Sequence, residues 1–533
     1  MRRKTKILAA LGLLLAAGIY YYVTIPAINL HSSGFWLFVI SLVVVVTLLL
    51  SARSAQKGAV FQKSRSFKIG MFSAAVLVVI FVIGSVLSSP IINAVKYHKL
   101  LNVQNGDFAE DIKEVDFNEI PLLDKSSASL LGNRKMGSLV DMVSQFEVSE
   151  LYTQINYQGK PVRVTPLVYA SPIKWLTNMS DGIPAYIRID MTTQDTECVR
   201  LPEGSGIKYS QAEYFNRNIY RHLRFRYPTY IFDELSFEID EEGTPYWICP
   251  VKKFNIGLFG GQTIGKVVLC NAVTGETECY EMEDCPQWVD SVYSANLLIE
   301  LYDYYGLYMN GFFNSLLSQK GCLRTTDGYN YLAMDDDVWV YTGVTSVSGD
   351  QSNVGFVLMN QRTMEARYYA CPGAEEYSAM HSAQGQVQHL GYVSTFPLLL
   401  NVSGEPTYFM ALKDDAGLVK MYAMVNIKKY QNVAIGNTVA ECEEAYVDLL
   451  KTNGITTAGV KESKMVKGVI ETVAPVVLEG NSHYYVVLEK RKQIFDVDVS
   501  LFPEIVRFKE GGSISFMYEE GEELQKVTKV NKG

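Results

Sequence analysis

Three places along this 533-residue chain hold side chains whose types and spacing could do chemistry. The first is Ser171-Pro172-Ile173-Lys174. Ser-x-x-Lys is the pattern in which a lysine one helical turn away activates a serine nucleophile for acyl transfer. Pro172 and the strand-like surroundings argue against a helix start here. No Ser-Asp-Asn or Lys-Thr-Gly follows, and Lys451-Thr452-Asn453 is the nearest echo. The second is Arg221-His222-Leu223-Arg224-Phe225-Arg226. A guanidinium forks around phosphate or carboxylate, so Arg221, Arg224 and Arg226 are the candidate anion-binding residues. Lipid headgroups or anionic wall polymers would match them. The competing expectation pairs these arginines with Asp233, Glu234 and Glu238. The third is Asp335-Asp336-Asp337. Carboxylates suit hard cations, yet the spaced ligands of a calcium loop are missing, and a solvated turn is expected. The six histidines are scattered, no Cys/His group has zinc spacing, and no glycine loop suits phosphate. No catalytic residue, metal site or cofactor is assigned.

The elements that position these residues divide by charge. The first ninety residues hold nine Lys and Arg and no Asp or Glu. Three apolar runs lie among them: Ile7 to Ile25, Ser33 to Ala52 and Ile69 to Ser88. Each is near the ~20 residues of a membrane-crossing helix. Basic residues precede the first run and fill the loop between the second and third, while residues 26–32 carry none, so the positive-inside rule puts the N-terminus in the cytoplasm. Residues 90–533 are then extracytoplasmic. Tyr20, Tyr21, Tyr22, Phe35 and Trp36 fall at one outer interface, where amphipathic rings are favoured. A cleaved signal peptide over the first run is the rival reading, against which Gly18-Ile19-Tyr20 is a poor cleavage site. No ionisable residue interrupts the runs, so anchoring is expected rather than transport.

Outside the anchor, 39 Lys and Arg stand against all 57 Asp and Glu, a formal −18. That excludes general nucleic-acid binding, which needs a basic field. All eight cysteines lie there, as structural staples or small core residues.

A unit of strand, hairpin and amphipathic helix recurs four times. The first opens at Gly159-Lys160-Pro161, with a hairpin from Ala185–Asp190 into Thr196–Leu201. Ser210-Gln-Ala-Glu213 reads as a capping box, with Phe215, Ile219 and Leu223 on one helix face. The second opens at Gly243-Thr244-Pro245 and turns at Thr274-Gly275, and Pro286 is expected to start its helix. The third has Gly355–Met359 and Ala366–Tyr369 as its hairpin and a helix near Glu375. The fourth opens at Gly404-Glu405-Pro406, and its helix begins at the Thr438-Val-Ala-Glu441 capping box and stops at Gly454.

The second unit resembles PepSY domains: Gly243-Thr244-Pro245-Tyr246-Trp247, then Gly265-Lys-Val-Val-Leu, then Asn271-Ala-Val-Thr-Gly-Glu276. The match covers residues 243–290 and is looser elsewhere. It implies a helix-backed antiparallel sheet and a binding or regulatory role in the envelope, without catalytic residues.

The expected fold is thus a three-helix transmembrane anchor (1–89), a juxtamembrane linker and amphipathic helix (90–150), two α+β modules (151–320), two more (321–460), and a β-rich end (461–533). Asn102 to Lys125 is expected to be irregular and 135–146 helical. Strands expected over Val469–Val477, Tyr484–Leu488, Ile494–Val499, Ile505–Phe508, Ile514–Tyr518 and Val527–Val530 make the end a small barrel or sandwich, of the OB type by strand count. The expected function is a non-catalytic binding or scaffold protein of a bacterial cell envelope. Its expected partners are the lipid bilayer and an envelope protein, peptide or polymer. An envelope or wall-modifying enzyme using Ser171 and Lys174 or a carboxylate pair that no motif marks, and a regulatory subunit of a membrane complex, are the alternatives.

Overall fold

The computed structural model describes residues 2–55, 65–114, 120–334, 336–347, 352–453, 464–478, 481–499, 502–519 and 524–531. Gly454, Asp335 and the turn residues Glu479 and Gly480 lie outside them. Helices α1 (Arg2–Thr24), α2 (Ser33–Ala55) and α3 (Arg65–Ser88) hold the apolar runs. Two segments, Ser33–Ala52 and Arg65–Ser88, are long and apolar enough to cross a membrane, while the apolar part of α1, Leu11–Thr24, is shorter. α2 and α3 pack closely because Gly70 has no side chain: a Cβ there would fall on Thr47. Trp36 of α2 and Phe81 of α3 meet nearer the other end.

α4 (Pro90–His98) follows α3 after one residue, with Pro90 in its first turn, where the missing N–H costs nothing. The segment expected to be irregular is partly ordered into the fold. Val103–Asn105 pairs in parallel with Ala366–Tyr368, and α5 (Phe108–Asp111) follows. α6 (Lys125–Gly137) is capped by Asp124, whose carboxylate accepts from the Ser127 N–H at 2.8 Å. The helix expected over 135–146 is not formed. The chain turns instead after Gly137, and Val140, set at helical spacing, is 86% exposed.

Four curled antiparallel sheets then succeed one another, and a helix follows each. The first joins 146–148, 160–169, 185–190 and 196–200 in that order, with 153–157 also on 160–169. α7 (Pro172–Asn178) interrupts it, and α8 (Ile219–Arg226) follows. The second is a meander of 236–239, 245–256, 260–271 and 277–281, followed by α9 (Ala295–Tyr308). Its Thr274-Gly275 turn needs the glycine, at φ +75°. Pro286 does not start α9. Ser294 does, its hydroxyl accepting from the Leu297 N–H at 3.3 Å. The third sheet holds 323–325, 330–334, 337–346, 352–360 and 366–374, with 103–105 as a parallel edge strand, and α10 (Glu376–Gln386) follows. The fourth holds 393–394, 398–402, 405–413, 419–426 and 433–436, and α11 (Val439–Thr452) follows. Thr438 caps α11, accepting from the Glu441 N–H at 3.1 Å, and Glu441 reaches back to the Asn437 N–H at 2.8 Å.

Adjacent sheets share cores. On the strand Pro245–Ile256, Trp247 and Cys249 face the first sheet and α8, while Ile248 faces α9 and the third sheet. On Gly260–Asn271, Val268 and Cys270 face the first and Val267 and Leu269 the second of these cores. Strand alternation with apolar residues at both parities is what a sheet covered on two faces requires. All eight cysteines are free thiols, four of them in or beside these cores.

The chain forms two compact units, Met1–Leu449 and Leu450–Gly533. The second contains a closed barrel of 464–478, 481–488, 494–498, 524–531 and 513–519, in that order around the ring. The strands 494–498 and 524–531 pair in parallel; the other ladders are antiparallel. Phe495 and Phe516 meet at 4.8 Å in its core. The strand expected over Ile505–Phe508 is instead a 3-10 turn, Pro503–Arg507, which buries Ile505.

Leu298 of α9 is fully buried between the second and third sheets. Leu298→Ala should cost about 2–5 kcal/mol in a denaturant titration of the solubilised chain, whereas Val140→Ala should stay within about 0.5 kcal/mol. Equal losses would contradict the core assignment.

Candidate functional site

The Ser-x-x-Lys stretch does start a helix, contrary to the sequence expectation. Ser171 is the N-cap of α7, its Oγ accepting from the Lys174 N–H at 3.3 Å, and Pro172 takes the first helical position, where proline fits. The hydroxyl is therefore engaged with backbone, and no hydrogen bond joins it to the Lys174 amine among the described residues.

Beside α7 lies an open cleft of about 640 Å³, lined by Tyr169, Ser171, Glu213, Tyr214, Arg221 and Trp247 among others. Glu213 is 3% exposed. Tyr169 Oη donates to its Oε1 at 2.6 Å, and Trp175 Nε1 donates to its Oε2 at 2.8 Å. Burial, and next the Glu213 carboxylate, keep the proton on the Tyr169 hydroxyl well above its ordinary range. Each Glu213 oxygen has accepted one bond and can accept another. The cleft thus offers fixed acceptor oxygens among aromatic walls.

Glu213 was expected in a capping box, and the structure overturns that. The helix begins six residues later, at Ile219, and Ser210 Oγ serves the Ala212 N–H at 3.1 Å. Phe215, expected on an inward helix face, lies in a 3-10 turn and is exposed. A carboxylate that finds two tertiary donors in a buried place gains more than one that caps an exposed helix end.

The three arginines take separate places. Arg224 Nε donates to the Ile25 carbonyl at 2.9 Å, and its Nη1 reaches the Tyr230 and Tyr227 carbonyls. Arg221 Nε donates to the Tyr22 carbonyl at 3.4 Å, and its guanidinium lies 5.1 Å from the centre of the Tyr22 ring. Arg226 is exposed. The expected pairing with Asp233, Glu234 and Glu238 does not occur: Asp233 pairs with Lys252 at 3.0 Å, and none of the three arginines has a carboxylate partner among the described residues. Two of them instead place positive charge at the C-terminal end of α1, on the Tyr22 carbonyl and on that of Ile25 just past the helix, where the helix dipole favours it.

The long hairpin of the second sheet grips the other two apolar helices. The Leu258 and Phe259 N–H groups donate to Ser88 Oγ at 2.8 and 3.1 Å, and His31 Nδ1 lies 2.7 Å from the Leu258 carbonyl. The Phe259 ring packs on Phe81 and Trp36. Tyr97 Oη donates to the Ser88 carbonyl at 2.7 Å.

Sequence reasoning missed a pair of sealed carboxylates between the first three sheets. Glu238 is 0% and Asp290 1% exposed. Glu238 accepts from the Asp290 and Ser291 N–H groups at 2.9 Å each, and Asp290 accepts from the Asn156 N–H at 2.6 Å. Burial pushes Glu238 up to about 7. Burial, and next the Glu238 charge, push Asp290 well above the usual carboxylate range. Glu238 sits at an ordinary strand position, so nothing in the local sequence marks it. Nearby Asp337 is buried and held by Arg362 at 2.6 and 2.8 Å, so the expected solvated turn is not what Asp337 occupies. Among the described residues no group of three or more His, Cys, Asp and Glu is placed to hold a metal ion.

No protein-family model matches the chain, and no curated protein matches it. Among solved structures, a crystal structure of an ACO/RPE65 chimera is similar to it at 8% identity and a TM-score of 0.15, over 66% of this chain and 58% of that one. This chain therefore spans less than two thirds of that structure's length, and a likeness at that score carries no argument.

The folded chain keeps the Glu238 proton to about pH 7, whereas an ordinary glutamic acid loses it near 4.5. Its contribution to stability is then full at low pH and is lost as pH rises between these values. Glu238→Gln should accordingly gain stability relative to wild type on going from pH 5 to pH 8, by up to about 3 kcal/mol. A wild-type-to-variant difference that is flat across this range would show that the buried carboxyl ionises at its ordinary value.

Proposed function

We propose that this chain is a non-catalytic binding or scaffold protein, anchored in a membrane by α1–α3 with its N-terminus in the cytoplasm and residues 90–533 outside. The orientation rests on the charge pattern: Arg2, Arg3, Lys4 and Lys6 before the first apolar run and Arg53 to Lys68 between the second and third runs, against an uncharged loop at 26–32. The four sheet-and-helix units are PepSY-like modules in this reading, and the closed barrel is of the OB type, a likeness that rests on strand order and says nothing of ligand.

One residue carries the proposal. Arg221 lines the 640 Å³ cleft and also holds the end of α1. A cleft whose wall is fastened to the anchor is kept at a set height above the bilayer. Its ligand is then an envelope peptide or polymer that donates hydrogen bonds to Glu213. The wall-enzyme reading is weakened because the Ser171 hydroxyl caps α7 and has no bond to Lys174.

The test places a photo-crosslinking residue at Gln211, an exposed position on the cleft. In whole cells it should yield one dominant adduct, reduced about tenfold by Glu213→Gln, the loss expected for a charge-assisted hydrogen bond. An equal yield from the exposed position Lys428 on the fourth sheet, or an adduct indifferent to Glu213, would refute it.

A further inference from the structure

One apolar surface near the end of α1 has no cover among the described residues. α7 turns Trp175 toward Tyr214, with ring centres 4.7 Å apart, and toward Phe215 at 6.0 Å. Ile173 and Leu176 of the same helix are 72% and 63% exposed, and Phe215 is 65% exposed. Arg217 ties the two segments together by donating to the Met179 carbonyl. Large apolar side chains exposed on two segments joined in this way mark a surface that meets something other than water.

What it meets follows from its place. Asn216, next to Phe215, accepts from Tyr22 Oη at 3.1 Å. Phe225 packs on Tyr21 and Tyr22 at 6.3 and 5.9 Å. The patch is thereby continuous with the outer turn of α1, whose Ile19 and Val23 are also exposed. Lys174 and Arg217 flank it, as basic residues flank surfaces that lie on anionic headgroups. Trp175, with an apolar ring and an N–H already held by Glu213, is the kind of side chain that sits at this depth.

We infer that Ile173, Leu176 and Phe215 lie in the headgroup layer of the outer leaflet, beside α1, as a lipid-contacting foot of the sheet region. The inference rests on the membrane-anchored reading above. It adds a contact that the anchor does not require: the first sheet touches lipid directly, and the cleft beside α7 opens at the bilayer surface. Glu213 would then report on the foot, since it holds Trp175 from within the cleft.

The test uses the full chain in phospholipid nanodiscs, with a diazirine amino acid placed singly at Ile173, at Phe215, at Leu37 on the exposed side of α2, and at Val393 on the fourth sheet. All four positions are exposed, so none of the substitutions disturbs a core. Irradiation should give lipid adducts at Leu37, Ile173 and Phe215, each about tenfold above Val393, as for residues immersed at the interface. Adducts at Leu37 with none at Ile173 or Phe215 would overturn the foot and leave the anchor intact. Crosslinks from Ile173 or Phe215 to a second copy of the chain would overturn it as well, since the patch would then be a dimer surface. No adduct at Leu37 would instead strike the anchoring reading itself.

Discussion

The structure depends on how three apolar helices are satisfied at the ends that meet the sheet region. A helix leaves its last carbonyls without intrahelical partners, and at an apolar end water is not freely at hand to replace them. Here side chains on α8, α4 and α2 supply the donors. Arg221 and Arg224 serve the end of α1, Tyr97 serves Ser88 at the end of α3, and Trp36 Nε1 serves Leu30 in the turn between α1 and α2. Ser88 works in both directions: its hydroxyl donates to Gly84 and accepts from the hairpin tip at Leu258 and Phe259. The helices and the sheets are thus joined by bonds that neither could leave unmade. A flexible tether would have left those carbonyls to solvent.

This joint explains why the second sheet is the longest-reaching. Its central strands run twelve residues each, so the hairpin extends beyond the cores and meets α2 and α3 at its tip. The same strands are apolar at both parities because one face meets the first sheet and the other meets α9. Sealing both faces has a consequence. Any polar side chain the interior contains must be satisfied there or keep its proton. Glu238 does both, accepting three bonds and holding its proton to about pH 7. Asp290 keeps one oxygen without a partner, which is affordable only to a neutral carboxyl.

Local patterns in the sequence were legible where local forces decide. The apolar runs at α2 and α3, the Thr438–Glu441 cap, the Gly275 turn and five of the six strands expected at the C-terminus all appear, since helix length, capping and strand alternation are properties of a few neighbouring residues. The misses have different causes. Tertiary partners drew Glu213 out of the Ser210–Glu213 capping box, Ser294 caps the helix expected to start at Pro286, and the apolar spacing over 135–146 includes Val140, which the fold leaves exposed. Position 215 shows the limit well. At helical spacing Phe215 belongs with Ile219 and Leu223, but the helix starts at Ile219, so Phe215 turns outward while the other two enter the core.

The arginine island was visible only as an excess of charge, and its meaning lay in residues two hundred positions away. Both competing expectations sought an anion for it, either a ligand or a neighbouring carboxylate. The partners are backbone carbonyl oxygens, among them Tyr22 of α1 and Ile25 just beyond it, which carry partial rather than full negative charge. That choice fits the setting. A full carboxylate beside an apolar helix end would have to be desolvated together with the arginine, whereas a carbonyl is already there and already lacks a donor. Guanidinium suits the task better than ammonium, because its fork lets Arg224 serve Ile25 through Nε and Tyr230 through Nη1 at once. The charge that made these residues look like a binding site is, in Arg221 and Arg224, taken up at the end of α1; in the proposed reading the acceptor left for a ligand is Glu213.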